Sequence, residues 1–61
     1  MTQKELLYLE DAINHEKNII AICNNTVNTL EDENLVLFME KEVKKHENMY
    51  EKLLSKMEEK S

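Results

Sequence analysis

The chain has 61 residues, a net charge of -5, no glycine, no proline and one cysteine. One small domain fits this length, and an internal disulfide is excluded. The missing Gly and Pro argue against strands joined by tight turns, and the missing basic block removes any bulk attraction for phosphate.

The first stretch predicts a helix from about residue 2 to about residue 28. Thr2 is placed to cap it, with Glu5 three residues on, the capping-box spacing. Leu6, Leu9, Ile13, Glu16, Ile20, Cys23, Val27 and Leu30 alternate in steps of three and four, which is one helix face. The segment Asn24-Asn25-Thr26-Val27-Asn28-Thr29 consists of poor helix formers. It stays helical only if Val27 and Leu30 are packed. Asn28 or Thr29 is the expected stop, with Asn suited to a left-handed ending.

A short turn over about residues 29 to 32 follows, with Asp32 as the expected cap of the next helix and Thr29 as the rival. The second helix is expected from about residue 33 to about residue 60, with Glu33 at its positive end and Lys56 and Lys60 at its negative end. Its seam reads Val36, Met39, Val43, His46, Tyr50, Leu53 and Met57. Glu40 with Lys44, and Lys44 with Glu47, stand at helix-pair spacings.

A turn this short makes the helices antiparallel neighbours. Folding back at Glu31 sets Leu6 against Met57, Leu9 against Leu53, Ile13 against Tyr50, Ile20 against Val43, Cys23 against Met39 and Val27 against Val36. Glu16 then lands opposite His46, a carboxylate and an imidazole in one layer of an oily seam. The fold class is therefore all-α: an antiparallel two-helix hairpin forming a single domain over the whole chain.

Two helices do not use up the apolar residues. Ala12 and Ile19 flank the seam on the first helix, and Leu35, Glu42 and Met49 flank it on the second. These flanks share one side of the hairpin. Leu7, Tyr8, Ile22, Leu37 and Phe38 lie further round. Exposed apolar faces of this kind mark interfaces, and a symmetric dimer forming a four-helix bundle is the simplest closure.

The polar layer has two readings. Glu16 and His46 form a buried pair that fixes register. Alternatively, Glu16, Glu42 and His46 from two copies supply four carboxylates and two histidines, the inventory of a di-iron carboxylate bundle, suited to iron, manganese or zinc. The second reading meets Glu42 four residues before His46, not three, so its carboxylate is rotated and raised by a turn. His15, Glu10 and Glu47 read as surface groups, and Cys23 as a small buried hydrophobe.

At Leu9-Glu10-Asp11-Ala12-Ile13-Asn14-His15-Glu16-Lys17, at Asp32-Glu33-Asn34-Leu35, and at Glu40 and Glu42 ahead of His46 and Tyr50-Glu51-Lys52-Leu53, the chain resembles small ferritin-like, spore coat protein F-like two-helix proteins of spore-forming bacteria. The resemblance implies a ferritin-like half-bundle that dimerises, and a spore-coat or spore-associated role among other spore proteins. The chain departs from the ferritin-type pattern at Val43, where that pattern carries a second Glu.

The function expected first is a structural or interaction protein, non-enzymatic and homo-oligomeric. The alternative is a metal-binding mini-ferritin with weak oxidase potential. A Rop-type RNA-binding hairpin ranks last: Asn14, Asn18, Asn25 and Asn28 line the outer face of the first helix, but Lys4 and Lys17 are its only bases. Acids within Met1 to Asp11 break any signal-peptide core, and the apolar runs Ile19 to Cys23 and Leu35 to Met39 are too short for a membrane. The expected setting is intracellular, without nucleic acid or membrane as partner.

Overall fold

The computed structural model describes residues 1–60, with Lys60 lacking a described side chain. Two helices make up the fold, α1 (Gln3–Thr29) and α2 (Glu33–Lys60), packed against each other as a hairpin. The role expected for the Lys60 side chain at the end of α2 lies outside the described residues, as does Ser61.

The start of α1 is a reciprocal cap. The Glu5 N–H donates to Thr2 Oγ1 at 3.1 Å, and the Thr2 N–H donates to Glu5 Oε1 at 2.8 Å. Two of the backbone donors that any helix start leaves unpaired are thereby satisfied. The bond from the Thr2 backbone, then the one from its hydroxyl group, holds the Glu5 carboxyl below the ordinary value of 4.5.

The end of α1 differs from expectation in its mechanism. The helix reaches Thr29, and Leu30 leaves it in an extended conformation (φ -85, ψ 139), its N–H bonded to the Val27 carbonyl. No described residue adopts a positive φ, so the left-handed asparagine ending does not occur. Threonine hydroxyls bond to helix carbonyls instead, one of them within the last turn. Thr26 Oγ1 donates to the Ile22 carbonyl at 2.8 Å and Thr29 Oγ1 to the Thr26 carbonyl at 2.9 Å. Val27 and Leu30 are half-buried, which supplies the packing this poorly helical segment requires.

Asp32 caps α2. Its Oδ1 accepts from the Asn34 N–H at 2.8 Å and the Leu35 N–H at 3.2 Å. Thr29, the rival cap, belongs to α1. Among the described residues the expected Glu40–Lys44 and Lys44–Glu47 ion pairs do not form, whereas Lys56 and Glu59 stand 3.5 Å apart on the solvated surface. Such exposed pairs compete with water and contribute little.

The hairpin is a rod of 46 × 14 × 10 Å. Its radius of gyration is 14.2 Å, against about 10–11 Å for a compact chain of this length. A rod two helices thick shields few side chains. Ile13, Glu16, Cys23 and Val43 are buried, all of them seam positions, and no described side chain is completely enclosed. The other seam residues, from Leu6 to Met57, are half-buried. The chain exposes 5021 Å². A compact monomer of the same mass would expose about 4,200 Å².

The exposed excess is not evenly spread. Ala12 and Ile19 are half-buried, while Leu35 and Met49 across the same flank are 50% and 41% exposed. Ile22 and Phe38, next round on that side, are also exposed. The opposite flank carries Glu10, Lys17, Asn24, Glu40 and Glu47. Leu7 and Leu37 are exposed apolar residues there, and Leu54 is half-buried beside Glu10 and Lys17. No helix among the described residues is long and apolar enough to cross a membrane.

Candidate functional site

The polar layer forms where the seam is interrupted on both helices. Glu16 sits near the midpoint of α1 and His46 near the midpoint of α2. His46 Nδ1 and Glu16 Oε2 are 2.6 Å apart. A carboxylate only accepts, so Nδ1 carries the hydrogen and donates. The Glu16 side chain is 9% exposed and that of His46 21%. No described buried polar side-chain atom lacks a partner.

This contact also fixes the register. Antiparallel helices advance equally in opposite directions, so one pairing sets the rest of the ladder. Ile13 and Tyr50 border one shallow surface groove, as their place in the ladder requires. Val43, three residues before His46, is buried, so the seam next to the polar layer on α2 is apolar.

Glu42 approaches the other edge of the imidazole. Its Oε2 is 3.9 Å from His46 Nε2, too far for a hydrogen bond, and its side chain is 32% exposed. The three candidate residues thus form a row, Glu16–His46–Glu42, with the ring in the middle. One metal ion bound at Nε2 can be met by Glu42 but not by Glu16, which is engaged at Nδ1. Accordingly, no three His, Cys, Asp or Glu side chains among the described residues converge on a common ion position. The dinuclear set, with Glu16 as a ligand, does not fit this geometry within one chain.

The remaining candidates fall where their helix positions put them. His15, Glu10 and Glu47 are exposed, and Cys23 is buried as a free thiol. One contact beside the layer was not anticipated: Lys17 Nζ lies 6.0 Å from the centroid of the Tyr50 ring, at the outer reach of a cation–π contact. Its signal was present in the sequence. Lys17 follows Ile13 by one turn, and Ile13 opposes Tyr50.

Comparison of the chain with protein-family models, with curated proteins and with solved structures finds no match.

Proposed function

We propose that the chain is a small structural and interaction protein, a helical hairpin that completes its core by pairing with a second copy into a four-helix bundle. The observation that carries this reading is the one-sided apolar flank of Ala12, Ile19, Leu35 and Met49 on a rod that cannot enclose its own core. The area in excess of a compact monomer is about 800 Å², which is what one partner buries in a standard interface. A second copy presents the same flank, so the surface is self-complementary in chemistry.

The reading is non-enzymatic. Glu16 and His46 hold each other and specify which residues face which. A mismatched register would strand a carboxylate against Val43 or Tyr50, at a cost of several kcal/mol. A ferritin-like half-bundle in a spore-associated assembly, inside the cell and without nucleic acid, is the setting favoured by the resemblance at His15-Glu16-Lys17 and at Glu42 and His46.

Sedimentation equilibrium on untagged protein at micromolar concentration tests the pairing. The expected mass is at least twice that of the chain. A helical species of single-chain mass at that concentration would refute it.

The second reading, a metal centre across the dimer, is favoured by one observation: the Glu42 carboxylate lies 3.9 Å from His46 Nε2, the edge of the ring that Glu16 leaves open.

A further inference from the structure

We propose that His46 Nε2 and Glu42 are half of a mononuclear divalent-metal site, completed by the same two groups of a second copy, with Glu16 orienting the ring and not binding the ion. The inference rests on the dimer reading above.

The first argument is local. The bond from Nδ1 to Glu16 commits one edge of the imidazole, so in the neutral ring Nε2 presents a lone pair. That lone pair faces a carboxylate oxygen 3.9 Å away. In that form two electron-rich atoms face each other, an arrangement relieved by a proton on Nε2 or by a metal ion held between them. The separation exceeds that of a charge-assisted hydrogen bond, about 2.7–2.9 Å. It is close to that of two ligands sharing one ion. Ligands about 2.0–2.1 Å from a tetrahedral zinc ion stand roughly 3.4 Å apart. A small turn of the partly exposed Glu42 side chain closes the difference.

The second argument is one of position. The layer lies at the middle of both helices. A twofold axis across the rod returns its midpoint to the same level, and an axis along the rod returns every level. Either full-length pairing therefore sets the layer beside its own copy. Glu42 stands on the flank with Ala12, Ile19, Leu35 and Met49, the side that the copy covers. Covering a carboxylate there without a counter-charge is costly, and a shared cation removes that cost.

The third argument is chemical. Two imidazole nitrogens and two carboxylates make a four-coordinate set that zinc accepts. Glu16 on Nδ1 is then the outer carboxylate that fixes the tautomer and ring orientation of a metal-bound histidine. The assignment differs from a dinuclear carboxylate centre, because Glu16 holds the ring and cannot bridge ions.

Zinc ion alone is the probe. Untagged protein is stripped with chelator, titrated calorimetrically with zinc, and sedimented with and without the metal. The expected result is one zinc per two chains. Glu42→Gln and His46→Gln abolish the uptake, and Glu16→Gln weakens it by about 10–100-fold with the stoichiometry kept. His15→Gln leaves it unchanged. The nitrogen resonances of His46 give a reading on wild-type protein that no misfolded variant can blur: zinc shifts Nε2, while Nδ1 keeps its hydrogen. A dimer that takes up no zinc, or takes it up independently of Glu42, overturns the site and leaves the dimer standing. Single-chain mass with and without zinc overturns both.

Discussion

Glu16 and His46, thirty residues apart in sequence, meet at 2.6 Å and join the midpoints of the two helices. Glu16 is the more deeply buried of the two, so the consequences of breaking the pair are unequal. His46→Leu strands a carboxylate with no partner, and a loss of about 3–5 kcal/mol is expected. Glu16→Leu leaves an imidazole that can turn toward water, and costs about 1–3 kcal/mol. The double replacement returns to within about 1 kcal/mol of wild type or exceeds it, since a well-packed apolar layer often matches a buried pair. Urea unfolding of the four proteins at one concentration checks this. Additive losses would show that the pair is not a unit.

The Asp32 cap gives a second expectation. Asp32→Ala removes the acceptor for the Asn34 and Leu35 N–H groups and should cost about 1 kcal/mol, whereas Asp32→Ser or Asn should retain most of the stability. Thermal unfolding of the three variants measures it. An unchanged midpoint for the alanine variant would mean that water replaces the cap without loss.

Acid should weaken the start of α1. The Thr2 bonds lower the Glu5 carboxyl below its ordinary 4.5, so the folded state binds the proton less readily than the unfolded chain. The cap's contribution is therefore fully present above pH 4.5 and is lost as the pH falls below that value. Hydrogen exchange at the first turn, compared with Glu5→Gln, isolates the effect. The wild type should lose protection on acidification while the variant changes less. Parallel loss in both would place the acid sensitivity elsewhere.

Cys23 should be chemically quiet. It is a buried seam residue. A disulfide reagent should modify native protein far more slowly than protein in denaturant, because the thiol must first be exposed. Equal rates would mean that the seam opens freely at that level.

Much of this architecture is written in the order of residues. Alternating steps of three and four mark the buried face, and the single acid and single histidine on that face imply each other once the chain folds back. Thr2 with Glu5, and Asp32 ahead of α2, announce their helices through side-chain oxygens that reach nearby N–H groups. Three features were less legible. The ending of α1 depends on threonine hydroxyls and the packed Leu30, and residue preferences there favoured an asparagine solution. The ion pairs of the solvated face depend on side-chain rotamers, which periodicity leaves open. The arrangement of Glu16 and Glu42 on opposite edges of the His46 ring depends on the ring's own rotation. Spacing places the three residues within one turn of each other and says nothing of which nitrogen meets which carboxylate.

The central claim is that the folded unit contains two chains. Thermal unfolding of wild-type protein over a hundredfold range of concentration, about 2 to 200 μM, tests it most directly, because mass action links the midpoint to concentration only when folding and association are coupled. A midpoint that rises steadily with concentration is the expected result. A midpoint that stays constant across the range, with single-chain mass at its upper end, would contradict the account.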